Sequence, residues 1–219
     1  MSIHTATTPV IHPLHYISQE QAGLSHTTAI HQALDAGCRW IQLRVKEKTI
    51  QEITTLATQT QKLCKQYQAV FILNDYPAIA RETGAHGVHL GLTDMPVAEA
   101  RIIAGPHCII GGTANTFAHI QQRTQEGCDY IGLGPFRFTT TKQKLSPVLG
   151  LQGYAAIVLQ AHQQQLALPP VIAIGGITPE DVPGLMQTGV KGIALSGAIT
   201  HAADRTQVVT YLHTLLNSQ

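Results

Sequence analysis

The chain has few charged residues, and neither sign is in excess. Only 12% of its 219 residues are Asp, Glu, Lys or Arg, and the formal net charge is +1. Proteins that bind nucleic acid usually carry a basic face, and an acidic tail would indicate a basic partner. The composition therefore argues against nucleic acid and favours a small molecule as the ligand.

Cysteine pairs and metal-ligand motifs are also lacking. The chain has no C-x-x-C motif, and its four cysteines are widely separated: Cys38, Cys64, Cys108 and Cys128. This spacing predicts reduced thiols in a cytoplasmic protein rather than a disulfide framework or a zinc site. Among the scattered histidines, His86 and His89 lie close together. The apolar GVHL around His89 is typical of a strand, so we interpret the pair as structural.

Long apolar runs are missing as well. No stretch approaches the roughly 18 uninterrupted apolar residues of a membrane-spanning helix. The polar start, MSIHTATTP, resembles neither a signal peptide nor a transit peptide. We therefore expect one cytoplasmic domain over residues 1–219, in which about the first ten residues (1–10) form a flexible lead, with no membrane contact.

A repeated octet organises the chain. Four segments align without gaps, each with Gly second, an aliphatic residue sixth and Leu eighth: AGCRWIQL from Ala36, TGAHGVHL from Thr83, EGCDYIGL from Glu126 and TGVKGIAL from Thr188. The glycine predicts a left-handed helix end, and the apolar positions after it predict a buried strand. The intervals between octets leave room for a further strand in each.

Those further strands are present, and helical segments lie between them. The predicted strands outside the octets are Ile11–Ile17, Val70–Leu73, Cys108–Gly112 and Val171–Ile174. The predicted helices are Ser25–Ala36, Thr49–Tyr67, Pro77–Thr83, Pro96–Ala104, Thr116–Glu126, Leu151–Gln164, Pro179–Thr188 and Arg205–Leu215. Eight alternating strands and helices predict an α/β fold, a single (β/α)8 TIM barrel. A doubly wound open sheet is the alternative.

The segment GPFRFTTTK, from Gly134 to Lys142, follows the apolar run YIGL. Its threonine hydroxyls can donate hydrogen bonds and its lysine adds a mobile positive charge, which together suit an anion such as phosphate. The residues concerned are Thr139, Thr140, Thr141 and Lys142. An ordinary solvated loop would have a similar composition.

Other predicted strand ends are polar. In QLRVK, period-two alternation sends Gln42, Arg44 and Lys46 to one side. Asn74 and Asp75 follow the next strand, and Asp94 follows the one after it. Two carboxylates beside cations suggest a shared Mg²⁺, although either could instead cap a helix.

Glycine and hydroxyl residues end the remaining strands. Thr113 follows Gly111 and Gly112, whereas Thr116 is expected to cap the next helix. Barrels form phosphate sites from backbone N–H groups at the ends of strands seven and eight. The residues at those ends are Gly175, Gly176, Leu195 and Ser196.

These motifs together resemble the thiamine phosphate synthase family. The segments QLRVK, ILNDY, GVHLGLTDMP, IIGGTANT, YIGLGPFRFTTTK, AIGGIT and ALSGA carry the resemblance, which runs from about His15 to the last strand. It implies joining of an aminopyrimidine diphosphate to a thiazole phosphate with release of pyrophosphate. Arg44, Lys46 and Lys142 would act on the leaving group.

The resemblance also assigns binding residues. The pyrimidine diphosphate would be held by Gln42, Leu43, Arg44, Val45, Lys46, Asn74, Thr113 and Lys142. The thiazole phosphate would be held by Thr139, Thr140, Thr141, Gly175, Gly176, Leu195 and Ser196. Asp75 and Asp94 would bind Mg²⁺, and the barrel's outer helices could form a homo-oligomer face.

Three residues depart from the family pattern. Leu92 stands where Gln is usual, Thr113 where Ser is usual, and Phe138 where Pro is usual. Two alternative functions remain open at this stage. One is a thiazole phosphate tautomerase of the same fold, which is expected to have His where this chain has Asn115 and to need no metal. The other is a regulator that binds thiamine phosphates without catalysis.

Overall fold

Eight parallel strands close into a barrel in chain order, with the first strand paired to both the second and the eighth. The computed structural model describes residues 10–138 and 147–218. The strands are β1 (Leu14–Ile17), β2 (Trp40–Leu43), β3 (Val70–Asn74), β4 (Gly87–Leu90), β5 (Ile109–Ala114), β6 (Tyr130–Leu133), β7 (Val171–Ile174) and β8 (Gly192–Leu195). The predicted (β/α)8 barrel is confirmed, and the open sheet is wrong because no edge remains between β1 and β8.

Helices alternate with the strands. They are α1 (His26–Asp35), α2 (Ile50–Gln66), α3 (Pro77–Thr83), α4 (Val97–Ala104), α5 (Phe117–Gln125), α6 (Gly150–Gln163), α7 (Val182–Gln187), α8 (Gly197–Thr200) and α9 (Arg205–Asn217). In the parts of the chain that the structure describes, no helix has the length and apolar character needed to cross a membrane.

The segment predicted as one helix from Pro179 to Thr188 is divided. A 3-10 turn, Pro179–Asp181, precedes α7. The division has a local cause, because Pro183 has no N–H with which to donate to the carbonyl of Pro179. Asp181 instead accepts from the backbone N–H of Thr178 at 2.8 Å. The short helix α8 was not predicted.

The second-position glycines end their helices as predicted. Each has a positive φ: 110° at Gly37, 72° at Gly84, 75° at Gly127 and 94° at Gly189. A residue with a Cβ is strained in this left-handed region, whereas glycine is not. The octets therefore mark four helix-to-strand junctions, those leading to β2, β4, β6 and β8.

Alternation along the octet strands separates two cores. The sixth and eighth residues, such as Ile41 and Leu43, belong to the large cluster of strand and helix residues outside the barrel. The fifth residues of the octets that contain β2 and β6 are Trp40 and Tyr130. Their rings meet inside the barrel in a T-shaped contact, with 5.6 Å between the ring centroids. The barrel interior is therefore a packed core, which also contains the buried rings of His15 and His89.

Candidate active site

A cavity of about 610 Å³ lies where the carboxyl ends of β1, β2, β7 and β8 meet. Active sites of (β/α)8 barrels form at this end. The residues that line it include Ser18, Gln19, Arg44, Lys46, Gly175, Gly176, Leu195 and Ser196. Six residues predicted from distant parts of the sequence are thus brought together around one cavity.

Arg44 connects this cavity with the predicted metal residues. Burial lowers the pKa of its guanidinium, and the charges of Asp75 and Asp94 act in the opposite direction. Lys46 is exposed at the cavity, and burial followed by repulsion from Arg44 lowers its pKa. The site therefore carries concentrated positive charge beside two carboxyl groups.

A hydrogen-bonded chain of side chains runs from β2 to β3. The buried Gln42 donates from Nε2 to Oδ1 of Asn74 at 2.7 Å, and the Asn74 amide donates to Oδ1 of Asp75. Asp75 has a φ of 71°, in the left-handed region that Asp tolerates better than most residues. The three residues act as one polar unit at the strand ends.

Asp75 and Asp94 are close enough to share a proton. The pKa of Asp75 is raised to about 6, first by burial and then by a hydrogen bond with Asp94, whereas Asn74 and Arg44 lower it. Neither carboxylate caps a helix, which corrects that alternative: the N-cap residues of α3 and α4 are Tyr76 and Pro96, without side-chain caps.

The carboxylate pair has the chemistry of a magnesium site. Mg²⁺ typically takes one or two protein carboxylates and completes its coordination with substrate phosphate oxygens and water. Within residues 10–138 and 147–218, no group of three or more His, Cys, Asp or Glu is placed to hold a metal. A site with two protein carboxylates therefore fits Mg²⁺ when water or substrate phosphate oxygens complete the coordination.

The glycine loop after β7 packs closely against the segment that follows β6. Gly175 and Gly176 have φ values of 99° and 70°. A Cβ on Gly175 would lie 2.8 Å from Cα of Pro135. Arg137 donates from Nη1 to the carbonyl of Gly176 at 2.8 Å and forms a bidentate ion pair with Asp181. Arg137 was not singled out from the sequence.

Ser196, after β8, is fixed by residues that sequence reasoning also missed. Its hydroxyl donates to Oε1 of Gln19 at 3.0 Å, and Nε2 of Gln19 lies 2.6 Å from Nε2 of His201. The polar segment after β1 and a histidine just beyond α8 are the only sequence signals for this contact. Neither position stood out, because α8 itself was not predicted.

Thr113 lies deeper than a loop residue. It is buried, and its hydroxyl lies 3.0 Å from Nε2 of His89, whose Nδ1 is 3.0 Å from the Tyr130 hydroxyl. His86 accepts from the backbone N–H of Phe71 at 3.0 Å. Both histidines therefore hydrogen-bond with groups of neighbouring strands, which is consistent with a structural role. Thr116 caps α5 as expected, by accepting from His119 N.

The remaining predicted residues divide into two groups. The side chains of Leu43 and Val45 are buried in the outer core, so a contact from them to a ligand would come from the backbone. Thr139, Thr140, Thr141 and Lys142 lie outside the described residues. Two of the three departures from the family pattern are exposed, Leu92 at 36% and Phe138 at 60%.

Together these features define a (β/α)8 barrel with a cationic cavity and a carboxylate pair at the carboxyl ends of its strands. The model of the thiamine monophosphate synthase family matches residues 14–199. The chain is 51% identical over 191 residues to thiamine-phosphate synthase of Phocaeicola vulgatus, covering 87% of this chain and 91% of that protein. It is 50% identical over 200 residues to the enzyme of Flavobacterium johnsoniae, covering 91% and 94%.

A solved structure agrees. Thiamine phosphate pyrophosphorylase from Pyrococcus furiosus superposes with a TM-score of 0.81 at 30% identity, covering 94% of this chain and 95% of that one. The chain therefore belongs to the thiamine monophosphate synthase family.

Proposed function

We propose that the chain catalyses the reaction of thiamine-phosphate synthase. It joins 4-amino-2-methyl-5-pyrimidinylmethyl diphosphate to 4-methyl-5-(2-phosphoethyl)thiazole, or to its carboxylated form, and releases pyrophosphate. Family membership supports the reaction. The structural observation that carries it is Arg44, which lines the cavity with Gly175, Gly176 and Ser196 and is within electrostatic reach of Asp75 and Asp94.

The reaction breaks one bond and forms another at the same carbon. The bond from the pyrimidine methylene carbon to the diphosphate oxygen breaks, and its electron pair leaves with pyrophosphate. The lone pair of the thiazole nitrogen forms the new C–N bond, and the carboxylated thiazole also loses carbon dioxide. No general base is required, so the protein's task is to position both substrates and to stabilise the departing charge.

The catalytic residues we assign are the cations Arg44, Lys46 and Lys142. Positive groups already in place before the bond breaks stabilise the growing negative charge without reorganising. One such group typically lowers the activation barrier by about 3 kcal/mol. The lowered pKa of Lys46 reflects burial and the nearby Arg44. Such crowding of cations is offset once a diphosphate lies between them.

Asp75 and Asp94 are the residues that would hold Mg²⁺. The raised pKa of Asp75 fits this role, because two neighbouring carboxyl groups that share a proton can exchange it for a divalent cation. When bound, the ion would neutralise charge on the diphosphate. Burial of Asp75 leaves its carboxylate less stable without a positive partner.

Substrate binding divides between the two halves of the site. We assign the pyrimidine diphosphate to Gln42, Leu43, Arg44, Val45, Lys46, Asn74, Thr113 and Lys142. We assign the thiazole phosphate to Thr139, Thr140, Thr141, Gly175, Gly176, Leu195 and Ser196. The hydrogen-bonded unit of Gln42, Asn74 and Asp75 supports the first assignment, and the shared cavity supports the second.

The two alternative functions lack a supporting observation. The tautomerase is expected to have His where this chain has Asn115, and the buried amide of Asn115 is engaged in donating to the carbonyl of Gly134. A regulator that only binds anions has no use for the carboxylate pair. The test is incubation of purified protein with both substrates and Mg²⁺. Thiamine phosphate and pyrophosphate should form in equal amounts, and failure to form them where a known synthase is active would refute the proposal.

We further infer a cytoplasmic homo-oligomer. All four cysteines are free, which suits a reducing compartment. Two outer helices expose large apolar side chains, Ile102 on α4 at 80% and Leu159 on α6 at 58%. Light scattering of the purified protein tests the oligomeric state, and a monomer at micromolar concentration would contradict the inferred homo-oligomer.

A further inference from the structure

Arg123 is a buried arginine that reaches the active-site end of the barrel from an outer helix. It lies on α5, yet only 3% of it is exposed. Its Nε donates to the carbonyl of Thr113 at 3.2 Å and its Nη2 to the carbonyl of Gly91 at 2.7 Å. Nη1 pairs with Glu126 at 2.7 Å. A buried guanidinium is costly unless it is fully paired, so these contacts fix its position closely.

The space for this side chain comes from Gly112 on β5. A Cβ at that position would lie 2.7 Å from Cδ of Arg123 and 2.7 Å from Sγ of Cys128. Any larger residue would therefore push the arginine stem away from the strand. Glycine at this position and arginine on the facing helix form a complementary pair, which lets the guanidinium pass between α5 and the sheet.

The backbone of Gly91 is held on both sides. Its carbonyl accepts from Arg123, and its N–H donates to Oδ2 of Asp94 at 2.5 Å. A Cβ on Gly91 would lie 2.7 Å from that same carboxylate oxygen. The carbonyl and the N–H belong to the two peptide groups that meet at the Cα of Gly91, so the charged hydrogen bond from Arg123 limits movement of the backbone that binds Asp94. Arg123 and Asp94 are thus coupled through one glycine.

We propose that Arg123 is a positioning residue for metal binding, because it fixes the backbone of Gly91 and thereby the Asp94 carboxylate. The inference rests on the proposed role of Asp75 and Asp94 in holding Mg²⁺. Arg123 donates to the carbonyls of Thr113 and Gly91 and pairs with Glu126, so it would act through Gly91 and not as a metal ligand. Partners that orient a metal ligand from behind typically contribute about tenfold to a hundredfold to metal affinity.

A purely structural role for Arg123 makes a different prediction. In that case its loss would lower the free energy of unfolding and leave metal affinity unchanged. Arg101 provides a matched control, because it also donates to two backbone carbonyls, of Cys108 at 3.1 Å and of Gly127 at 2.9 Å, and pairs with Asp129. These contacts lie at the residues that precede β5 and β6, at the opposite end of the barrel.

The experiment measures binding of Mn²⁺, a spectroscopic substitute for Mg²⁺, by electron paramagnetic resonance of the free ion. Arg123→Met should weaken Mn²⁺ binding by roughly tenfold or more, and should raise the Mg²⁺ concentration needed for half-maximal turnover in parallel. Arg101→Met should lower thermal stability without changing either quantity. Arg123→Lys keeps the positive charge but loses the forked guanidinium, so its Mn²⁺ binding should also be weaker than that of the wild type. This variant takes the place of Arg123→Met if Arg123→Met does not fold.

Three results would overturn the inference. The first is Arg123→Met that binds Mn²⁺ as the wild type does. The second is Arg101→Met that weakens binding as much as Arg123→Met, since this would make the effect one of stability. The third is wild-type protein that forms thiamine phosphate but binds no Mn²⁺ at millimolar concentration. A protein that binds Mn²⁺ with the expected pattern but forms no product would instead contradict only the proposed reaction.

Discussion

The side-chain amide of Gln42 donates a 2.7 Å hydrogen bond to Oδ1 of Asn74, and so links the end of β2 to the end of β3. Because Asn74 uses its oxygen for Gln42, its amide nitrogen is directed to Asp75. The orientation of one amide therefore determines that Asp75 receives a donor, and this donor lowers the pKa of Asp75 against the effect of burial.

Replacing Asn74 should move the acid limb of the pH profile. Asn74→Leu keeps the approximate volume but removes the donor to Asp75, so the pKa of that carboxyl should rise above its present value of about 6. The pH at which kcat/KM for the pyrimidine diphosphate falls to half should increase accordingly. The measurement is the pH profile of wild type and variant at one subsaturating Mg²⁺ concentration, where protons and the ion compete for Asp75. Superimposable acid limbs would contradict this coupling.

Asp75 should also make the metal-free protein less stable at neutral pH than in mild acid. Its folded pKa of about 6 lies above the ordinary value of 3.8, so the folded state binds this proton more tightly than the unfolded state does. The resulting stabilisation is fully present below about pH 4 and is lost as the pH rises through about 6. Asp75→Asn, which cannot titrate, should not show this loss.

The measurement is the free energy of unfolding of both proteins with a chelator, between pH 4 and pH 8. The difference between Asp75→Asn and wild type should grow in favour of the variant as the pH rises from about 4 to 7. Addition of Mg²⁺ and pyrophosphate should reverse the difference at neutral pH, because only wild type retains both carboxylates. A difference that does not vary with pH would refute the assignment.

The barrel could be predicted from the sequence because each octet carries two independent signals of the fold. Their glycines end helices, and their apolar sixth and eighth residues face the helices outside the barrel, so both local conformation and packing indicate the same fold. Boundaries were less accurate. β1 begins at Leu14 rather than Ile11, after Pro13, which cannot donate to the strand ladder.

The site was predictable only where a residue lies at the end of a strand or directly after it. Gln42 and Asn74 lie at the ends of β2 and β3, Arg44 and Asp75 follow these strands directly, and their alternation or position carries the signal. Arg123 lies on a helix and acts through Gly91, which is 32 residues earlier in the chain, so no local pattern connects the two residues. The pair of Gln19 and His201 is separated by nearly the whole chain and meets only because β1 adjoins β8.

Lys142 should affect the rate without affecting the fold. Removing one cation that stabilises the leaving group typically lowers the rate by about 10²-fold or more, or about 2.7 kcal/mol of barrier. Lys142→Ala should therefore lower kcat by that amount and change the free energy of unfolding by about 1 kcal/mol or less. Lys191→Ala, at an exposed lysine before β8, is the control and should leave both unchanged. Near-normal turnover of Lys142→Ala at saturating substrate would exclude the role.

The barrel interior should not tolerate a methyl group at Gly111. A Cβ there would lie 2.1 Å from Cζ of Tyr130, whose ring is packed against Trp40. Gly111→Ala should lower the free energy of unfolding by about 1–3 kcal/mol or more, as overpacking of a well-packed core does. Combining it with Tyr130→Leu should cost less than the sum of the two single changes. Additive losses, measured by chemical denaturation, would show that the two sites do not contact.

Gln19 should determine affinity for the thiazole phosphate rather than the rate of bond formation. It accepts from the Ser196 hydroxyl and is itself oriented by His201, so that Ser196 is held at the edge of the cavity before any ligand binds. Gln19→Leu leaves Ser196 without this acceptor and free to rotate, and the KM for the thiazole phosphate should rise by about fivefold to tenfold, the equivalent of one ordinary hydrogen bond. The KM for the pyrimidine diphosphate should not change, because its assigned residues lie in or after β2, β3, β5 and β6 in the chain, whereas Ser196 follows β8. Steady-state kinetics with each substrate varied in turn measures both constants.

Gln160→Leu, at an exposed glutamine on α6, is the matched control and should alter neither. An equal increase in both KM values for Gln19→Leu would mean that the substitution disturbs the whole cavity, and would refute a specific role for the contact between Gln19 and Ser196.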